Sequence, residues 1–410
     1  MNPFFTDNFT TTWLKYFSNH SDVHSFDSIK PIKFLKSKYG LFYYNIGKNI
    51  TNGISYQLTS EVSADKGKVL LMYDVLPYQQ KKNFHYDQFK LRKVPQYMGY
   101  LTDLTAFESF DEYFKEHFSG KSRNNIRKWD KRLNAVCSIN FKVFFGGIDK
   151  NEFNELFDKL IHLIGKRWGQ LGMDNDILRD EDYYRELSYK MILEKTASLN
   201  VIYANDKPIA ISICFASKEE LFFAITTFDT DFRKYNLGHL LIMYILKWCF
   251  ENGFTVFDYS KGTYDYKTRW SNKSYVFENH ILFDKRSLIA SSIGEGLTTF
   301  FRFKQFLRKK NVNLMYSKLK FLFKKQNTSR GESRSAKITD IDQEKSVLKN
   351  STSIDLNHST FDNVRPFIFD ILFSNPQEIK DVTVHKIENQ NKFILQGENL
   401  LKEIDLDSVK

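Results

Sequence analysis

Three apolar runs follow one another with almost no spacing: LNVIYAND, KPIAISICFASK and EELFFAITTFD, residues 199–229. Asn205-Asp206-Lys207-Pro208 and Ser217-Lys218-Glu219 separate them, and these are turn-forming residues. Connections this short force neighbouring strands to lie antiparallel. The pattern then changes period. Asp229 to Asn236 is a polar loop, and Leu237 to Glu251 reads as a helix closed by Asn252-Gly253. Phe254 to Tyr259 and Tyr275 to Phe283 read as two further strands. An antiparallel meander, one helix and more strands define an α/β unit.

Around this unit, Thr12 to Phe17 reads as helical, and GLFYYNIG and KVLLMYDVL as buried strands. Ser109 to Leu133 carries Phe110, Tyr113, Phe114 and Phe118 at helical spacing, continued by Ile126, Trp129 and Leu133. Asp149 to Trp168 and Asp180 to Lys195 are two more helices. Ser287 to Lys325 reads as one or two basic helices, and 326–360 as a Ser-, Asn-, Asp- and Lys-rich linker. VRPFIFDILF and DVTVHKIENQNKFILQGENL resemble strands of a small β-rich or partly disordered tail, 361–410. With 410 residues and 42% hydrophobic content the chain can bury a large core in two or three domains.

The three cysteines, Cys137, Cys214 and Cys249, form no CxxC pair and read as small buried hydrophobes in a reducing compartment. The nine histidines show no ligand spacing, so no metal is expected. The opening MNPFFTDNFTTTWLKYF lacks a secretory pattern. The longest apolar stretch, Leu237 to Phe250, is too short to span a bilayer and contains His239 and Lys247. A cytoplasmic protein is expected, with peripheral contact at the inner face of the membrane as a second reading.

The net charge of +11 is concentrated in GKSRNNIRKWDKR, residues 120–132, and in Arg302 to Arg330, which holds no Asp or Glu. The first cluster makes Arg123 and Arg127 candidates for binding an anionic acceptor such as a nucleotide-linked sugar or lipid phosphate, or else is simply a solvated face. The second interleaves Phe300, Phe301, Phe303 and Phe306 with basic residues. That composition fits a helix packed on the protein with its charge in solvent, with an anionic membrane through 300–330 as the second reading.

Two stretches can carry chemistry. In FDTDFRKYNLGHLLIMYILKW a strand ends, a basic loop follows and a helix opens. A helix start presents unpaired N–H groups and the positive end of the dipole, which suits a pyrophosphate. Arg233, Lys234, Asn236, Leu237, Gly238 and His239 are therefore the candidate cofactor-binding residues, although a glycine there also serves plain packing. In FDYSKGTYDYKTRWSN, residues 257–272, polar aromatics, charge and an indole crowd together. Asp258 or Asp265 is a candidate base, Tyr266 or Tyr264 a proton donor and Lys267 an anion-binding group. Trp270 is a candidate for substrate contact, and each of these has a packing role as its alternative.

Residues 200–285 resemble the acyl-CoA-binding half of GNAT-type acyltransferases, where a backbone turn at the helix start cradles the CoA pyrophosphate. Of that family's Gln/Arg-x-x-Gly-x-Gly/Ala pattern, RKYNLGHL keeps Gly238. NPFFTDNFTTTWLKYF, FDEYFKEHFSGKSRNNIRKWDKRL and FDYSKGTYDYKTRW are similar to segments of bacterial proteins related to the CelD acetyltransferases of cellulose biosynthesis. The Fem peptidoglycan-bridge transferases are more distant relatives. The resemblance spans about residues 3–285. It implies a GNAT fold with two related lobes, 1–108 and 109–285, followed by a basic helical segment, 286–325. It further implies acyl transfer from acyl-CoA to an amine or hydroxyl of a sugar, lipid or cell-envelope precursor, without a metal. The alternatives are a Fem-like transferase using aminoacyl-tRNA and a non-catalytic binding module.

Overall fold

The computed structural model describes residues 2–407 apart from 19–21, 49, 60–64, 81–87, 172–174, 311–335, 342–350 and 357. Helix α1 (Asp7–Phe17) leads into β1 (Val23–Phe26), β2 (Ile29–Lys36), β3 (Tyr43–Asn45), β4 (Gln57–Leu58), β5 (Val69–Val75) and β6 (Phe89–Asp103). Next come α2 (Phe110–His117), α3 (Gly120–Val136), β7 (Ile139–Phe144), α4 (Lys150–Leu171), α5 (Asp176–Arg179) and α6 (Glu181–Leu193). The meander is β8 (Ala197–Ala204), β9 (Lys207–Ala216) and β10 (Glu220–Phe228), followed by α7 (Leu237–Glu251). After it come β11 (Val256–Lys261), α8 (Asp265–Trp270), β12 (Lys273–Asp284) and α9 (Leu288–Lys309). The last part contributes β13 (Lys337–Asp340), β14 (Ser351–Ser353), α10 (Arg365–Ser374), β15 (Thr383–Ile387), β16 (Lys392–Gly397) and β17 (Leu400–Asp405).

One 12-stranded sheet, in the order β1-β2-β3-β5-β12-β6-β11-β10-β9-β8-β7 with β4 beside β2, takes in every strand from Val23 to Asp284. Pairing is antiparallel except at β3/β5 and β10/β11. From either edge, therefore, an antiparallel run ends in one parallel step before the central pair β12-β6. The two halves share that pair, so the long strand β6 bonds to β11 on one side and β12 on the other.

Alternation along the strands sends side chains to two faces. Leu70, Met72 and Leu282 join one core with Phe153 and Phe157 of α4 and Leu187 and Met191 of α6. Val69, Leu71, Ile281 and Phe283 point the other way, against Ala290 and Phe301 of α9. On that second face, in the other half, α7 lies among α2, α3 and the sheet. Its Leu237, Leu240, Leu241, Ile242, Met243, Ile245, Leu246 and Cys249 are all buried, which accounts for a helix that is apolar nearly all round. Cys137, Cys214 and Cys249 are buried free thiols.

Two local expectations are corrected. Ser109 to Leu133 is not one helix: Phe118 is extended, and the Ser119 hydroxyl accepts from Ser122 N to start α3 afresh. VRPFIFDILF is not a strand but α10, with proline in its first turn and Phe367, Ile368, Ile371 and Leu372 buried at helical spacing. The apolar run is too uniform for its period to separate the two readings. Helix α10 lies beside a five-stranded sheet, β13-β17-β16-β15-β14. Residues 311–335 of the expected basic segment lie outside the described residues. Among the described residues no helix is long and apolar enough to cross a membrane.

Candidate active site

The ladder between β10 and β11 is short. Glu220, Leu221 and Phe222 pair with Val256, Phe257 and Asp258; beyond this the strands part, although β10 runs to Phe228 and β11 to Lys261. Irregularities on both sides enforce the divergence. The pairing of β10 with β9 shifts between Phe223 and Ile225, and that of β11 with β6 between Asp258 and Lys261. Ser260 sits within β11 at φ +62°, a left-handed conformation costing about 1–3 kcal/mol for a residue with a side chain. The result is a wedge at the carboxyl ends of two parallel strands, where open α/β sheets take ligands.

Helix α7 starts at the mouth of this wedge. Asn236 is left-handed at φ +52°, and its carbonyl accepts from His239 N and Leu240 N at 2.9 and 3.3 Å. A Cβ added to Gly238 would lie 3.1 Å from the Phe228 ring, so the glycine lets the helix approach the end of β10. His239 is a hydrogen-bond acceptor: Trp270 Nε1–H donates to its Nδ1 at 2.8 Å, Trp129 stacks on it, and burial pushes its pKa down to about 4. It is therefore a neutral ring over the physiological range.

The basic residues ahead of this helix are engaged by α10. Arg233 Nε–H donates to Asp370 at 2.9 Å, and Lys234 Nζ donates to the Asp370 carbonyl at 3.3 Å. Tyr235 OH donates to the Phe369 carbonyl, and the Phe369 ring lies 4.0 Å from that of Phe232. Arg123 and Arg127 are likewise tied into the protein. Arg123 donates to the carbonyls of Lys115 and Phe118, and Arg127 lies over the Phe114 ring. Trp270 is fully buried against Phe118. Asp265 is exposed in the first turn of α8.

Strand β11 separates two groups of polar side chains. Phe257 and Tyr259 belong to the core beneath α7, so Asp258 between them projects to the opposite face. There it is fully buried and accepts from Tyr78 OH at 2.9 Å, Tyr275 OH at 2.6 Å and Ser260 N at 2.6 Å. Burial pushes the Asp258 carboxyl up to about 6, against the pull of these donors. The neighbouring Glu220, which accepts from the Gln79 amide, is pushed by burial to about 7. Lys267 closes the strand end, donating to the Ser260 carbonyl at 3.3 Å and to that of Lys261. Burial pushes its ammonium down to about 8, while Asp258 pulls it back up. Lys261 pairs with Asp74, itself left-handed at φ +61°, at 2.6 Å.

Tyr266 lies on the α7 face. Its ring is 6.5 Å from Phe223 and stacks with Tyr264, and burial raises its pKa, so its hydroxyl stays protonated. Beside it is Arg167 of α4, whose guanidinium lies 4.5 Å over the Phe228 ring. Burial lowers the pKa of Arg167, and among the described residues it has no carboxylate at ion-pair distance. A guanidinium held this way has N–H donors suited to an anion.

The sequence thus pointed to Asp258, Lys267 and Tyr266, and the fold brings all three to one strand end, two of them on opposite faces. It missed Tyr78, Glu220, Tyr275 and Arg167. Only Glu220, an acid opening an apolar strand, left a local sign.

This geometry, with an antiparallel meander, a helix after the last strand and a parallel step that splays, is a mixed α/β fold containing a GNAT domain. In agreement, residues 120–268 match the family model described as an acetyltransferase (GNAT) domain. Comparison with curated proteins returns no similar sequence. Among solved structures the chain is similar to FemX, at 12% identity over 70% of this chain and 93% of that one, with a TM-score of 0.45. It is also similar to the C-terminal domain of a putative lysylphosphatidylglycerol synthetase from Agrobacterium fabrum, at 13% identity over 64% and 83% of the chains, TM-score 0.40. A GCN5-related N-acetyltransferase from Kribbella flavida aligns at 9% identity over 67% and 94%, TM-score 0.29.

Proposed function

We propose that the protein is an acyltransferase that moves an acyl group from acyl-CoA to an amine or hydroxyl, with the thioester held in the wedge between β10 and β11. The observation that carries this reading is the division of proton-handling groups across β11. Transfer has two proton jobs. The acceptor nitrogen or oxygen attacks the thioester carbon and gives up its proton; the carbon–sulfur bond breaks and the thiolate takes one up. Asp258, reached through the Tyr78 hydroxyl, is placed for the first job on one face. Tyr266, protonated and on the face of the α7 start, is placed for the second. Lys267, between them at the strand end, fits the role of orienting group, and Arg167 the role of partner for a donor phosphate.

The acceptor class, a sugar, lipid or cell-envelope precursor, rests on the resemblance of the N-terminal segments to CelD-related proteins. A second reading, an aminoacyl-tRNA donor, is favoured by exposed Lys121, Lys128 and Lys131 on α3. Titration with acetyl-CoA and longer acyl-CoAs, by calorimetry, tests the donor. Saturable binding that weakens roughly tenfold or more in Arg167→Ala is expected. Absence of binding across the series, with strongly salt-dependent tRNA binding in its place, would replace CoA as the donor. Unimpaired function of a Tyr266→Ala/Lys267→Ala variant would instead leave a non-catalytic module.

A further inference from the structure

Helix α9 has two apolar faces, and the sheet uses only one. Ala290, Gly294, Thr298 and Phe301 face the protein, where Gly294 lets the helix close onto the Phe283 ring and Phe301 meets Tyr73 edge-on. Leu288, Ile289, Phe300, Phe303 and Phe306 are exposed by 85, 74, 58, 59 and 54%. At 3.6 residues per turn these five fall within an arc of about 120°, opposite the buried stripe. Exposed Ser292, Gly296 and Thr299 lie among them and keep the ridge shallow. Exposed large apolar side chains aligned on one face, with three phenylalanines clustered at its end, mark an interaction site.

The charges around it name the partner. Arg302, Lys304 and Lys309 are exposed on the two flanks of this arc, Arg302 and Lys309 on one side and Lys304 on the other, and Lys310 is exposed at the helix end. The only acid of α9, Glu295, is neutralised by Lys90 and Arg92, each 2.8 Å away. Pairing of two copies about a two-fold axis would set these cations against each other, and like charges oppose such a contact. A negatively charged lipid surface satisfies both features, since phenyl rings enter the headgroup boundary while the cations meet phosphate. The sequence beyond the helix, NVNLMYSKLKFLFKKQNTSR, has no acid.

We propose that the outward face of α9, with Phe300, Phe303 and Phe306 at its centre, docks the protein onto anionic membrane surfaces. This holds whether or not the wedge transfers acyl groups. The test is sedimentation of the full chain with vesicles of phosphatidylcholine alone or mixed with phosphatidylglycerol. The protein should pellet with the mixed vesicles, lose that binding as salt rises, and stay in solution with phosphatidylcholine alone. Phe300→Ser/Phe303→Ser/Phe306→Ser should weaken binding roughly tenfold or more while circular dichroism and melting stay unchanged. Arg302→Glu/Lys304→Glu should do the same without touching the rings. Equal binding to both vesicle types, or undiminished binding by the phenylalanine variant, would overturn the proposal. So would a wild-type dimer that this variant converts to monomer without any vesicle binding.

Discussion

Asp258 and Lys267 are two ionisable side chains whose burial moves them towards each other on the pH scale. The carboxyl rises from 3.8 to about 6 and the ammonium falls from 10.5 to about 8. If the base must be ionised and the lysine charged, kcat/KM should rise through about pH 6 and fall above about pH 8. A flat profile across that interval, measured with a saturating donor, removes Asp258 and Lys267 from the chemistry. The same shifts bear on stability. A carboxyl raised by burial favours folding below its unfolded value, and the advantage is lost as pH rises through about 6. A lysine lowered by burial favours folding above 10.5, and that advantage is lost as pH falls through about 8. At pH 8, therefore, Asp258→Asn should stabilise the fold by roughly 2 kcal/mol while lowering turnover by about 100-fold or more. Urea melts of the variant that show a large loss of stability would mean that Asp258 is held as a structural anion. Tyr266→Phe keeps the ring packing and removes one proton. It should lower kcat by about 100-fold with KM for the donor unchanged, a split a packing role would not produce. The sequence could expose these residues as a crowd of polar aromatics and charge. It could not show that β11 would turn Asp258 to one face and leave Tyr266 on the other, because α8 breaks the alternation between them.

Among the elements, the wedge depends on two strands that cease to pair and on one helix that arrives close to their ends. Helix α7 is fixed by apolar contacts on all sides. Leu246→Ala, at a site with no exposure, should cost about 2–5 kcal/mol, measured as a shift in the urea midpoint at constant slope. A cost below about 1 kcal/mol would mean that the helix repacks and that the mouth of the wedge is not rigid. The meander, the helix and their tight connections were legible in the sequence, because a two-residue and a 3.6-residue period leave different apolar patterns. The interruption between α2 and α3 was hidden, since Phe118 fits both a continuing helical stripe and a buried extended residue. The helical state of VRPFIFDILF was hidden for a related reason: a short run apolar on every side has no period to read.

For the molecule as a whole, the segment beyond α9 is bound to the GNAT domain through the turn before α7. Asp370 of α10 holds Arg233, and Arg365 approaches Asp231 at 3.4 Å. Phe232 and Tyr235 share one buried core with Val364, Phe367, Ile368 and Leu372. Ending the chain at residue 335 would uncover that core. The truncated protein should melt at lower temperature and bind a hydrophobic dye that the full chain does not. Unchanged melting would show the two parts to be energetically independent. Asp370→Ala should cost about 1–2 kcal/mol, less than a wholly buried pair, because Arg233 is 46% exposed. Read alone, the sequence determined the class of fold, the order of the meander, α7 and the two strands after it, and the stretch around Tyr266 and Lys267, because periodicity, turn chemistry and local composition are properties of neighbouring residues. What only the tertiary structure decided was which cations have partners and which faces are covered. Arg233 and Lys234 meet Asp370 from more than a hundred residues away, Arg167 meets an aromatic ring and, among the described residues, no acid, and the phenylalanines of α9 divide between sheet and solvent. Contacts between distant segments are set by the closing of the sheet, and no local pattern encodes them.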